Sequence, residues 1–581
     1  MRSGRKRNRS RSRRNDLVTP YVMKPDLECG HAARFGSERG SLSRSTLDVV
    51  ALRARHGGSR QGGRDCQGST FAMKVHGKFS AATADGAAAG RTPALRPIRA
   101  LARLAVVWFI GAVACSVFAA QPTNQLPSII HRPSILFILA DDLGYGDLGC
   151  YRQSRIKTPN IDRLASQGMS FADFYAGSTV CAPSRCALMT GLNTGHGSIR
   201  GNGDVPLKAE DLTVAEALKR AGYSTGLIGK WGLGNEHTTG VPQKKGFDQF
   251  IGYLDQVHAH DYYTDHLWRY EPPHATSPGY DGRMDFSENQ GGKKELYMDD
   301  FFTTAAQNFL KIYKPDQFNN FRPFFLYLAF TIPHANNEEA LRSGNGMQVP
   351  SDIPYTDQPW PQPEKNKAAM ITRLDKYVGQ LMDSLRHLGI ENDTIVIFTS
   401  DNGPHKEGGV DPKFFRSAGV LRGIKRDLYE GGIRVPFIIR WPGHIKPGAV
   451  SEEPFAFWDF LPTAAELAGA KLPGKTDGIS MLPTLLGQSQ TNHHDFLYWE
   501  FHERGFQQAA RMGDWKAVRL GNGEPLELYN LKTDMGEKQN VAGENPEVIA
   551  KIEAYLKTAR TDSDAWPIKP VEKAPSGKEK N

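Results

Sequence analysis

Cysteine is scarce in this chain of 581 residues: there are six, with Cys29, Cys66 and Cys115 before residue 121 and Cys150, Cys181 and Cys186 after it. So low a density excludes a disulfide scaffold, and the odd number in the later part leaves at least one cysteine for another purpose. A long hydrophobic run is missing too. The longest, residues 104–120, falls short of the roughly 20 residues that a membrane-crossing helix needs, so no stable membrane span is expected. Nor does the part able to fold carry an excess of positive charge. The sequence holds 72 Lys+Arg and 63 Asp+Glu, but residues 1–120 account for 22 and 7 of them, which leaves 50 against 56, a balance of −6. Nucleic-acid binding, which the overall +9 would suggest, is therefore not expected. No internal repeat is present. What remains, about 460 residues in a chain that is 39% apolar, is enough for a large globular core with a smaller companion.

Residues 1–95 are rich in Arg, Ser, Gly and Ala and show no apolar period, which reads as a disordered basic tail; Met73 offers itself as an alternative start. Arg96, Arg99 and Arg103, then the apolar run, then Ala119 and Ala120 have the order of a signal peptide over 96–120, which implies a secreted or periplasmic protein. A membrane anchor and a lipid attachment at Cys115 are the alternatives. The run is short for the first, and Ala112 stands where the second prefers an aliphatic residue.

SILFILADD (134–142) and TIVIFTSDNG (394–403) are short apolar runs ending in acids, the pattern of buried strands with carboxylates at their C-terminal tips. FRPFFLYLAF (321–330) and VPFIIRWPG (435–443) predict further core strands; 215–222 and 368–389 carry helical periodicity. Strands alternating with helices predict an α/β fold, in which ligands bind beyond the carboxyl ends of the strands. After about residue 490, DFLYWEF, QAARMGDWKAVRL and LELYNL predict a smaller α+β domain over 491–565, closed by a helix near 546–559. Residues 566–581 read as a flexible tail.

The sharpest string is STVCAPSRCALMTG (178–191). Its Cys181, Pro183, Ser184 and Arg185, followed by Leu188, Met189, Thr190 and Gly191, resemble the signature of the formylglycine-dependent sulfatases, the type I family of arylsulfatases and N-acetylgalactosamine-6-sulfatases in the alkaline phosphatase superfamily. GYSTGLIGKWGLG (222–234), TSDNG and LRGIKRDLYEGGIRVP (421–436) are similar to later blocks of that family, so the resemblance covers about 132–550. It implies an alkaline-phosphatase-like catalytic domain over 132–490, with a large mixed sheet between helices, and a short antiparallel sheet in the C-terminal domain.

The resemblance also implies chemistry. Cys181 would be converted to formylglycine by a formylglycine-generating enzyme, and its hydrated aldehyde would attack sulfur. Asp141, Asp142, Asp401 and Asn402, with the modified Cys181, match the ligands of one calcium ion; an all-oxygen set suits a hard cation and not zinc. Arg185 would hold the hydrate, Lys230 and Lys425 the sulfate, and His334 would sit near the leaving oxygen. Where many sulfatases have a histidine two residues after the signature lysine, this chain has Gly232, which leaves the base for sulfate release open between His196 and His405. Gln256, His258, His260 and His405 are candidate substrate contacts. Residues 256–274 concentrate imidazole and aromatic rings, which suits a sulfated carbohydrate, although an aromatic cluster that merely holds a long loop would look the same. The competing functions are a phosphatase or phosphonate hydrolase of the same superfamily and a non-catalytic carbohydrate-binding relative.

Overall fold

The computed structural model describes residues 132–273 and 277–568. The basic tail, the signal segment with Cys115, and residues 569–581 lie outside the described residues. Among those described, no helix is long and apolar enough to cross a membrane.

Strand Ser134–Ala140 lies at the centre of a ten-stranded mixed sheet and is buried along its whole length. It runs parallel to Phe324–Ala329 on one side and Thr394–Ser400 on the other. Its alternation explains both faces. Leu136, Ile138 and Ala140 join one hydrophobic cluster, and Ile135, Phe137 and Leu139 join another. Helices Pro159–Ser166, Met298–Tyr313 and Gln362–His387 pack on the first face, while Cys181–Thr190, Val214–Arg220 and Phe460–Ala468 cover the second. Thr213 and Glu216 form a reciprocal cap at the start of Val214–Arg220, which satisfies two otherwise unpaired backbone donors.

The sheet is mixed, as expected, and one of its flanks departs from expectation. Phe437–Arg440 is a core strand but runs antiparallel to Thr394–Ser400, which makes the sheet mixed. Residues 256–274 are not uniformly irregular: His266–Glu271 pairs antiparallel with Gln249–Tyr253 and with Tyr280–Asp285, so the sheet extends three strands past Ser224–Lys230. Polar residues at alternating positions of these edge strands hid them from a search for apolar runs.

Strands Leu497–Phe501, Gln507–Met512, Trp515–Arg519 and Glu527–Asn530 form an antiparallel meander. Helix Pro546–Leu556 covers one face through Val548, Ile552 and Leu556. The other face meets the large domain, Trp499 packing with Trp458 and with Tyr175 of a separate two-stranded sheet. Buried Glu430 links the two parts: it accepts from Tyr175 Oη at 2.8 Å and lies 2.9 Å from Lys516 Nζ. Residues just before and at the start of the expected tail are bonded to the catalytic domain. Trp566 Nε1 donates to the Ser198 carbonyl at 2.9 Å, Arg200 Nη1 donates to the Thr561 carbonyl at 2.9 Å, and the Thr561 amide donates to Gly195.

Candidate active site

The register of the central strands builds the site. Ala140 pairs with Ser400, so the residues that follow, Asp141 with Asp142 and Asp401 with Asn402, emerge side by side at the carboxyl edge. Asp142 takes a left-handed backbone (φ 64°), and its amide donates to Asp401 Oδ1 at 3.1 Å, which turns the two acids towards each other. Lys230 is the last residue of the parallel strand Ser224–Lys230, and His334 follows Phe324–Ala329, so both reach the same edge. Cys181 opens helix Cys181–Thr190, and Ala182 donates its amide to Asn202 Oδ1 at 3.0 Å.

All the principal side chains are buried. Cys181 Sγ lies 3.4 Å from Asp141 Oδ1. Arg185 Nε and Nη2 donate to Asp401 Oδ2 at 3.0 and 2.8 Å, and Nη1 donates to the Lys230 carbonyl at 2.9 Å. Lys230 Nζ donates to Asp141 Oδ2 at 2.6 Å, and Lys425 Nζ donates to Asp142 Oδ2 at 2.9 Å. His334 Nδ1 donates to the Ala335 carbonyl at 2.7 Å, which leaves Nε2 to accept from Lys425 Nζ at 3.0 Å. Three carboxylates thus face three cations.

These neighbours set the proton affinities. Burial alone would raise the Asp141 carboxyl, but Lys230, Arg185 and Lys425 hold it well below the usual range. Asp401 is pushed up to about 6 by burial and by Asp141, against Arg185. Burial and the adjacent Asp141 drive the Cys181 thiol well above its ordinary value, so an unmodified cysteine here is protonated and a weak nucleophile. Burial and Lys425 push His334 well down, while Asp142 is the chief partner that raises Lys425 against its own burial. Of this adjoining pair, lysine is the charged member and imidazole the neutral one.

The donor set fits a hard cation. Asp141, Asp142, Cys181 and His334 bring one ligand atom each within 4.8 Å of one another. Asn402 Oδ1 is buried beside them without a hydrogen-bond donor, although its Nδ2 donates to Asp142 Oδ1 at 2.6 Å. An orphaned carbonyl oxygen among carboxylates suits a hard cation. A second grouping of Asp142, His405 and Glu407 is no ligand set. His405 Nε2 donates to the Pro333 carbonyl at 3.1 Å, and its Nδ1 accepts from the Glu407 amide at 3.0 Å.

That occupancy also corrects two expectations for His405, as a base and as a substrate contact. It is buried with both ring nitrogens engaged and braces His334, whose ring centroid lies 6.0 Å away. His196 is engaged elsewhere: its Nδ1 pairs with Asp477 at 2.9 Å. His258 turns inward: Nε2 bonds Thr264 Oγ1 at 2.7 Å, the ring stacks on His266 at 4.4 Å, and burial with the His266 charge lowers it to about 4. It belongs to an aromatic cluster that holds its loop. His260 differs. It stacks on His334 with centroids 4.7 Å apart, so it does reach the site. Gln256 occupies the room in front of Gly232, where φ is 73° and a Cβ would meet Gln256 Nε2 at 2.0 Å. The two share the wall of a cavity of about 320 Å³ with Asn202.

Sequence reasoning passed over Glu407. Its carboxylate lies 3.6 Å from Lys425 Nζ and pairs with Arg426. Burial would raise it, but Lys425 and Arg426 hold it at about 2. An acid two residues beyond His405, in a stretch otherwise rich in cations, was the available signal. Asn202 carried no signal at all, because its role depends on a loop anchored by residues 561–566.

Known proteins resemble this chain over most of its described length. Residues 133–470 match the family model described as Sulfatase, and residues 424–562 match that described as N-sulphoglucosamine sulphohydrolase, C-terminal. Human arylsulfatase A is 34% identical over 487 residues, covering 75% of this chain and 89% of that protein. N-acetylgalactosamine-6-O-sulfatase of Bacteroides thetaiotaomicron is 30% identical over 505 residues, covering 74% and 93%. Among solved structures, Ps i-CgsB in complex with k-i-k-neocarrahexaose superposes with a TM-score of 0.63 at 28% identity, covering 76% of this chain and 96% of that one. With its acid pairs, lysines and signature cysteine gathered at one sheet edge, the chain belongs to the sulfatase family of the alkaline phosphatase superfamily.

Proposed function

We propose that this protein hydrolyses sulfate monoesters of carbohydrates, with Cys181 matured to formylglycine and one calcium ion held by Asp141, Asp142, Asp401 and Asn402. The observation that carries the reading is the position of Cys181, buried at a helix start, 3.4 Å from Asp141 and framed by Arg185, Lys230 and Lys425. A thiol held protonated there has little use as a nucleophile, whereas the aldehyde hydrate would supply a reactive hydroxyl in the same place. Calcium, when bound, would add two positive charges to a site whose three acids and three bases otherwise balance, and so favour an anionic ester.

The chain's own residues then divide the work. Arg185 fixes Asp401 and the Lys230 backbone, so the metal-facing oxygens and the Lys230 side chain keep their relative places. Lys230 and Lys425 offer point charges to sulfate oxygens. Lys425 Nζ, already donating to His334 Nε2, carries the proton that the leaving oxygen needs, and the Ala335 carbonyl keeps His334 in the tautomer that accepts it. Gln256 presents an amide where relatives place a histidine; an amide can bond a sulfate oxygen but cannot take its proton. His260, beside His334, is placed to meet the alcohol part of the substrate. The carbohydrate class is supported by the neocarrahexaose named for one structural relative and by the amino-sugar sulfatase among the sequence relatives. Export to the cell exterior or periplasm, and maturation by a formylglycine-generating enzyme, belong to the same proposal.

The deciding experiment combines peptide mass spectrometry with kinetics on paired sulfate and phosphate esters. Formylglycine at position 181 in active protein, with sulfate esters preferred, is the expected result. Full activity with an unmodified cysteine, or preference for phosphate, would overturn the reading.

A further inference from the structure

The loop joining two residues of the site, His405 and Lys425, does more than connect them. Its residues line a groove of about 750 Å³ that includes Lys406, Lys413, Arg416, Arg422 and Asp411. Both ends of the loop are tied to the active centre. Lys425 donates its amide to the Pro404 carbonyl at 2.9 Å, and the His405 ring stacks behind His334. Four cations therefore face one acid, on a body whose residues 121–581 carry a net charge of −6. Arg422 is engaged with Tyr529 and the Glu537 carbonyl. Lys406, Lys413 and Arg416 are exposed, and among the described residues none has a side-chain hydrogen bond or ion pair.

The loop is also fixed in place. Arg416 holds a left-handed backbone (φ 55°). Its neighbour Ser417 accepts from the Gly146 amide at 2.7 Å, and the Ser417 amide donates to Pro412 at 2.8 Å. Buried Lys367 Nζ donates to Ser417 Oγ at 2.7 Å. A restrained loop presents its charges at low entropic cost, and a net-positive groove on a net-negative surface concentrates anions at its mouth.

Resting on the proposed function for the identity of the ligand, we propose that this groove binds further sulfate groups of a polysulfated carbohydrate whose one scissile ester lies in the active site. It would favour long, multiply sulfated substrates over small esters. Exposed lysines are common and separately mean little; the argument lies in three unpaired cations on one groove, lined by the loop that runs from His405 to Lys425.

The test is binding of fluorescein-labelled dextran sulfate by the full protein, read by anisotropy, with uncharged dextran as reference. Lys406→Glu, Lys413→Glu and Arg416→Glu combined should weaken dextran sulfate binding about tenfold or more. The charge-keeping set Lys406→Arg, Lys413→Arg and Arg416→Lys should restore it. Reversing three remote exposed lysines, Lys311, Lys376 and Lys551, makes the same change in net charge and should cost less than about threefold. Equal losses in the two reversed sets, or unchanged binding in the groove set, would overturn the proposal. Turnover of 4-nitrophenyl sulfate, followed in parallel, should be unaffected by the groove set. A parent protein inactive on every sulfate ester would refute the proposed function, and the binding comparison would still decide the groove.

Discussion

Replacing Arg185 by lysine keeps its charge and removes its geometry, which makes it a sharp probe of the site. The guanidinium is fully buried and makes two hydrogen bonds to Asp401 Oδ2 and one to the Lys230 carbonyl. A lysine ammonium carries its three donors on one nitrogen and cannot reproduce the planar fork that meets Asp401 with two nitrogens and the Lys230 carbonyl with a third. The substitution therefore forfeits a charge-assisted bond, about 1.5–3 kcal/mol, and leaves a buried acceptor unpaired, about 1–3 kcal/mol, part of which relaxation recovers. The expected loss of stability is about 2–5 kcal/mol in urea unfolding followed by circular dichroism. Asp401 is also freed to shift, and a displacement of about 1 Å at a catalytic centre costs on the order of 100-fold in rate. The kcat on an aryl sulfate should fall by about that factor in enzyme whose Cys181 peptide shows normal maturation. Stability within about 0.5 kcal/mol of the parent, with kcat within about threefold, would refute the role given to the fork.

His334→Ala should reduce kcat/KM about 100-fold or more on sugar sulfates and only a few-fold on 4-nitrophenyl sulfate, because a phenolate departs with little help; equal losses would remove His334 from the leaving side. Dialysis against a calcium chelator should abolish turnover while far-ultraviolet circular dichroism is retained, with recovery on adding calcium and not zinc, and Asp401→Ala should match the chelated enzyme. Asp299 is buried, accepts from the Thr331 amide and hydroxyl, and is pushed up to about 7 by burial. The folded state thus holds a proton that the unfolded chain releases near pH 4, so this residue's contribution to stability falls as pH rises from about 4 to about 7. Asp299→Asn should flatten that part of the stability profile measured by urea titration; an unchanged slope would contradict the shift.

The core of the fold and the acid pairs at its strand tips were legible because they obey local rules. Apolar runs ending in Asp141-Asp142 and Asp401-Asn402 announce buried strands with acids at their tips, and the structure sets those tips side by side. The edge strands of 249–285 were not legible, since half-exposed pairs such as Trp268 with Arg283 show no apolar run. The histidines divide for a similar reason. Nothing in the string HAH tells that His260 stacks on His334 while His258 turns to Thr264, because that depends on a turn across which neighbouring side chains face opposite ways. Gly232 was legible as a departure, but its explanation lies 24 residues away, in Gln256.

The order of strands in the central sheet has a consequence for timing during synthesis. Ser134–Ala140 finds its two neighbours only in Phe324–Ala329 and Thr394–Ser400, so the wall against which Cys181 is buried cannot close until Ser400 has been made, 219 residues after the cysteine. At about 5–20 residues per second, that interval is roughly 10 to 45 s. In the finished fold Cys181 is 2% exposed, so an enzyme that alters its side chain must do so within that interval or while the chain is otherwise held open. Expression conditions that slow elongation should therefore raise the fraction of converted protein, and those that hasten folding should lower it.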